Sequence, residues 1–190
     1  SQLRTLLTAK QVVEDVDYFA KALLVGHPDL YRYISPVQLD SMLLQVKAKA
    51  GKLTLSDLYN ELTQVGVAIG CGHLWLSYPK NIERYFYLHS YYPPLYLEMH
   101  GRDVRVIGDY EHLIGSEFTL VRGIDGVPMD TIIAEMNKYI YRDGYIATGA
   151  AHALQNGQFV DLYNRYLADK ASYTYLLEQS TDSGWVLNEV

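Results

Sequence analysis

Gly70-Cys71-Gly72-His73 sets a thiol and an imidazole two residues apart between glycines. An imidazole titrates near about 6.5, so it can accept and return a proton at neutral pH, the work of a general base. His73 is the candidate catalytic residue. It also has a structural reading, as a histidine of a turn or strand start bonded to backbone. A thiol beside an imidazole can ionise and attack, and residues i and i+2 of a glycine-rich turn can meet. Nothing nearby supplies an orienting third group or oxyanion donors, so a Cys71 nucleophile is not expected. Ser116 lacks the Gly-x-Ser-x-Gly elbow and a strand leading directly into a helix. His27, before Pro28, reads as a helix-end residue, and the other four histidines show no metal-ligand spacing. No metal site and no cofactor site is expected.

Three helices precede the Gly70 turn. Thr8 and Gln11 have capping-box spacing, and Val12, Val13, Val16, Phe19, Ala20, Leu23 and Leu24 recur at helical intervals up to a stop at Gly26 and Pro28. Ser35 and Gln38 repeat the signal with Pro36 at the first helical position, and Leu39, Met42, Leu43 and Val46 form the stripe. A third start at Thr54 to Ser56 leads into Leu58, Leu62, Val65 and Ile69. Beyond Gly70 the period becomes two: Leu74, Leu76 and Tyr78 alternate with Trp75 and Ser77, which predicts a strand closed by Pro79.

A tyrosine-rich linker to Pro93-Pro94 follows. Strands are expected over Leu95 to Met99 and Val104 to Ile107, joined by a hairpin at His100-Gly101-Arg102-Asp103, and over Phe118 to Ile124 before the Asp125-Gly126 turn. Pro128 opens a helix striped by Ile132, Ile133, Met136, Tyr139 and Ile140. Residues 146 to 168 read as largely helical, with Leu154, Phe159, Leu162, Tyr163, Tyr166 and Leu167 buried. Ser172 to Leu177 and Trp185 to Val190 flank a turn, and a chain ending in a strand suggests more protein beyond it. The class is α+β: a helical N-terminal unit over 1–70 and a mixed β/α unit over 71–190.

The 190 residues are 49% apolar, enough to fill an ordinary core. With 16 Lys and Arg against 22 Asp and Glu the net charge is -6, and the basic residues are scattered, so nucleic acid and anionic membranes are disfavoured as partners. No apolar run approaches the roughly 20 residues needed to span a bilayer. One cysteine rules out a disulfide scaffold. The 18 tyrosines, with a cluster at Tyr85, Tyr87, Tyr91, Tyr92 and Tyr96, read first as amphipathic cover for faces and interfaces and second as a platform for sugar or peptide.

Three patterns, in this order and separation, resemble the S41 (tail-specific or tricorn-like) serine peptidases. His27-Pro28-Asp29-Leu30-Tyr31 looks like the His-Pro-Asn-Leu-Tyr segment that ends the first helix in many bacterial members. Gly70 to Ser77 looks like their Gly-Asp-Gly-His-Thr-x-Leu segment, and Gly115-Ser116-Glu117-Phe118 through Ile124-Asp125-Gly126-Val127-Pro128 is similar to a stretch of their PDZ-like unit. The resemblance implies that residues 71–190 are PDZ-like, that peptide or unfolded protein segments are the partners, and that the location is periplasmic or secreted. In the tricorn-like branch it makes His73 the general base to a serine that lies in a domain missing here. Cys71 stands where the family usually has aspartate and Leu74 where it has threonine.

Two functions follow. One is the substrate-recognising front part of such a peptidase, not catalytic alone. The other is a non-catalytic peptide- or protein-binding module of the bacterial cell envelope. A purely structural or oligomerisation domain is the bland third, and the sequence leaves the oligomeric state open.

Overall fold

A hydroxyl-bearing N-cap starts each of the first three helices, because four backbone N–H groups at a helix start have no partner within the helix. The computed structural model describes residues 2–78, 80–89, 93–110, 112, 114, 119–144, 153–155, 158–168, 170–181 and 184–189. In it the Thr8 hydroxyl accepts from Gln11 N–H at 3.2 Å while the Gln11 carboxamide accepts from Thr8 N–H at 2.9 Å, and α1 (Ala9–Gly26) follows. Ser35 and Gln38 reproduce this pair before α2 (Pro36–Ala48). Before α3 (Leu55–Ala68) the partner of Thr54 is Asp57, whose carboxylate also suits the positive helix N-terminus.

The chain divides into two compact units, one of residues 1–88 with 141–146 and one of 89–140 with 147–190. In the first, Val12, Val16 and Leu23 of α1 pack with Leu39, Leu43 and Val46 of α2 and with Leu58, Leu62 and Val65 of α3. Leu24 is exposed, so the inward stripe of α1 is narrower than its spacing suggests. Lys47 pairs with Asp17 across α1 and α2, and Lys49 with Glu61 across α2 and α3. These exposed pairs contribute little beside the apolar core.

Residues 71–78 form no strand. Leu74, Leu76 and Tyr78 do face inward and Trp75 and Ser77 outward, but the segment lies along the helices. Tyr59 of α3 holds it by donating its hydroxyl to Leu76 C=O at 2.9 Å and stacking on Tyr78 at 3.7 Å between ring centroids. Alternation therefore identified the buried face, while a side-chain anchor stands where a ladder partner would. The expected tyrosine-rich linker is helix α4 (Lys80–His89), a stretch free of glycine and proline whose run of aromatics obscures its period.

The second unit is an antiparallel sheet. Its strands are β1 (Leu95–His100), β2 (Asp103–Asp109), β3 (Leu120–Ile124), β4 (Val127–Pro128), β5 (Tyr175–Thr181) and β6 (Gly184–Glu189). The order is β1-β2-β3-β5-β6, with β4 paired to β3. Gly101 at φ 65° turns the β1–β2 hairpin, and Asp125 and Gly126, at φ 52° and 76°, turn the chain from β3 into β4. Asp125 also ties that turn to β5: its carboxylate accepts from Thr174 N–H at 3.0 Å and from Lys170 Nζ at 2.7 Å. Burial raises its pKa, yet these two donors win and hold it below the ordinary carboxylate value.

On one face of the sheet lie α5 (Met129–Met136), the single 3-10 turn Asn137–Tyr139, and α6 (Gln158–Tyr166). Ile132, Met136, Phe159 and Tyr163 pack on Leu97, Val106, Val121, Ile124, Tyr175 and Leu177. The stripe read from Pro128 onward is thus core at Ile132, Met136 and Ile140, with Tyr139 stacked on Tyr166 at 4.4 Å. Of the expected helix over 146 to 168, residues 146–152, 156 and 157 lie outside the described residues, and α6 spans Gln158–Tyr166.

Phe159 is fully buried, so Phe159→Ala should destabilise by about 3–5 kcal/mol, read as a lowered denaturant midpoint. A second expectation concerns pH. Burial pushes the Tyr163 phenol up to about 12, from 10.0, so the folded chain holds this proton more tightly than the unfolded one. The associated stability is complete below pH 10 and is lost as pH rises towards about 12. Tyr163→Phe should flatten the fall in stability over that window in a chemical-denaturation pH series.

Candidate functional site

The end of α1 and the turn after α3 open on one cleft of the first unit, about 430 Å³ in volume. Its walls include His27, Asp29, Arg32, Cys71, His73 and Asp143. Two of the three segments singled out in the sequence, His27 to Tyr31 and Gly70 to Ser77, therefore share a surface. The third belongs to the second unit, and its residues Gly115, Ser116, Glu117 and Phe118 lie outside the described residues. So do Tyr91 and Tyr92 of the tyrosine cluster.

Gly70 ends α3 in the left-handed region at φ 71°, and the chain then turns through Cys71, Gly72 and His73. Residues 141–144 return to the first unit and fasten this turn twice. Gly144 N–H donates to Gly70 C=O at 2.8 Å, and Gly72 N–H donates to the Asp143 carboxylate at 2.7 Å. The fit is tight at these glycines. A Cβ on Gly72 would lie 3.1 Å from the Asp143 carboxylate, and one on Gly144, itself at φ 52°, 2.8 Å from the Tyr33 ring. Tyr33 also covers Gly70, where a Cβ would approach the ring to 3.2 Å. Above the same ring lies the Arg32 guanidinium, 5.3 Å from its centroid.

His73 is exposed on this turn, and no hydrogen bond fixes its imidazole among the described residues. Cys71 is half-buried with a free thiol. Leu74 packs against the helical core, as a leucine can and a threonine would do less well. His27 has a local role: its Nδ1 accepts from Asp29 N–H at 3.2 Å, which leaves the proton of a neutral ring on Nε2 and shapes the chain leaving α1. Among the described residues no cluster of three or more His, Cys, Asp or Glu is placed to hold a metal ion, and no helix is long and apolar enough to cross a membrane.

Asp143, Arg32 and Tyr33 line the cleft without a signal for it in the sequence. Asp143-Gly144 carries a helix-stop signal, and a bond across 71 positions leaves no periodic trace. What the arrangement offers chemically is an accessible imidazole on a rigidly tied turn, beside one guanidinium and two carboxylates.

No family model and no curated protein matches the chain. Among solved structures its fold is similar to CPAF, a chlamydial serine protease. A serine-to-alanine variant of CPAF superposes with a TM-score of 0.66 at 13% identity over 96% of this chain and 33% of that one. Mature CPAF gives 0.65 at 15% identity, over 96% and 34%. Mature CPAF complexed with lactacystin gives 0.62 at 14% identity, with the same coverage. The chain spans about a third of the length of these structures, and the likeness is one of fold.

The Tyr33 wall makes the glycines of the cleft unequal. Gly51, at φ 77° in the same unit, would bring a Cβ no nearer than 3.8 Å to a neighbour, whereas Gly144 meets the ring. Gly51→Ala should cost about 1–2 kcal/mol for the left-handed backbone alone. Gly144→Ala should cost measurably more in equilibrium denaturation.

Proposed function

We propose that this chain is the front, substrate-recognising portion of an S41-type serine peptidase, and that it does not catalyse alone. The observation that carries the reading is the cleft shared by His27 to Tyr33 and the Gly70 to His73 turn. The likeness to a protease fold over 96% of the chain supports it. His73 acts as general base: its imidazole takes the proton of a serine hydroxyl supplied by another part of the parent polypeptide, as that oxygen attacks the scissile carbonyl. It then gives the proton to the departing amine. Oxyanion donors come from that other part too. The second unit is PDZ-like and engages extended peptide or unfolded protein by strand addition, for which β1 and β6, at the two ends of the strand order, supply the edges. The parent works in the periplasm or is secreted.

A second reading, a non-catalytic binding module of the cell envelope, is favoured by Cys71, by Leu74 and by a His73 imidazole that no hydrogen bond orients among the described residues. Hydrolysis of unfolded protein by the complete gene product separates the two. His73→Ala should lower the rate by about 10²- to 10⁴-fold with folding intact, whereas a variant as fast as wild type would remove His73 from the chemistry. If the complete product hydrolyses nothing while calorimetry detects extended peptides bound to the 190-residue chain, the binding module is the correct reading.

A further inference from the structure

The Gly70 to His73 turn contains no carboxylate of its own; besides its local bonds, Gly70 N–H to Val67 C=O at 3.0 Å and Leu74 N–H to Cys71 C=O at 3.2 Å, it is held by a segment that rejoins the first unit 71 positions later. Asp143 meets the Gly72 N–H at 2.7 Å, one residue before His73, and the lack of a side chain at Gly72 is what lets the carboxylate come so close. The next residue adds the Gly144 N–H to Gly70 C=O bond, so both flanks of Cys71 are fixed from the same short segment. A hydrogen bond to a carboxylate is among the stronger ones, and here the donor is a backbone group of the turn that carries the imidazole.

We propose that Asp143 is a positioning residue for His73: its carboxylate fixes the Gly70 to Gly72 backbone and thereby sets where the imidazole stands in the cleft. Asp143 touches no reacting atom, and its effect passes through the Gly72 amide. The role rests on the proposed participation of His73 in peptide hydrolysis, but the geometry it asserts can be measured without any hydrolysis.

The test is amide hydrogen exchange and ¹H–¹⁵N and imidazole NMR on the 190-residue chain, comparing wild type with Asp143→Ala and Asp143→Asn. In wild type the Gly72 amide should exchange slowly for an exposed turn. Asp143→Ala should speed it by about tenfold or more and move the His73 imidazole resonances, with the amides of α1 to α3 unchanged. Asp143→Asn, which keeps an acceptor oxygen without the charge, should fall between the two and carries the comparison if the alanine variant does not fold. Gly72 exchange and His73 resonances that match wild type in either folded variant would overturn the proposal. Failure of the peptidase reading looks different: Gly72 and His73 respond as described, while hydrolysis by the complete product is indifferent to His73.

Discussion

Two hydrogen bonds on the Gly70 to Gly72 backbone govern how the candidate base is presented. A turn with two glycines has many conformations open to it, and that freedom opposes any fixed placement of the residue that follows. Gly144 N–H on Gly70 C=O and Asp143 on Gly72 N–H restrict it, together with the local bond of Leu74 N–H to Cys71 C=O. The Tyr33 ring closes the space above Gly70 and Gly144, where the lack of side chains lets the segments meet without displacing it. Caps and stripe place the end of α3, the returning segment places the turn, and His73 is carried into the cleft by both.

The two units reach stability by ordinary means. In the first, three capped helices bury one apolar face each, and an extended segment is pinned over them by Tyr59. In the second, among the described residues, two helices cover a hairpin-built sheet, and the Asp125 carboxylate ties the β3–β4 turn to the start of β5. Tyrosine recurs as the adapter between apolar packing and polar satisfaction. Tyr59 and Tyr78 stack while Tyr59 keeps its hydroxyl bonded, and Tyr173 joins the aromatic row beside Tyr163 while accepting from Lys170 N–H at 3.2 Å. These four tyrosines serve as cover for apolar faces, with the polar ends of Tyr59 and Tyr173 satisfied.

Local chemistry made much of this legible. Thr8 with Gln11, Ser35 with Gln38, and the Asp125-Gly126 turn are signals in which neighbours in sequence satisfy one another, and each forms as read. The α+β class and the closing hairpin of β5 and β6 follow from the same kind of pattern. Alternation at Leu74, Leu76 and Tyr78 gave the buried face but not its partner, since period two is satisfied by any flat apolar surface. Helix α4 escaped because aromatic clustering hid its spacing. His73 stands out as a candidate by residue type alone, whereas the Asp143 contact with Gly72 does not, because a tie between distant positions is written only in the fold.

Under the proposed function, substrate meets the candidate base in the cleft of the first unit. Titrating the ¹⁵N-labelled 190-residue chain with an extended, unstructured peptide, and mapping the amides that move, addresses this most directly. Saturable shifts at Arg32, Tyr33, Gly72 and His73 are the predicted result. Saturable binding that moves residues of the second unit and leaves those four amides unmoved would contradict it.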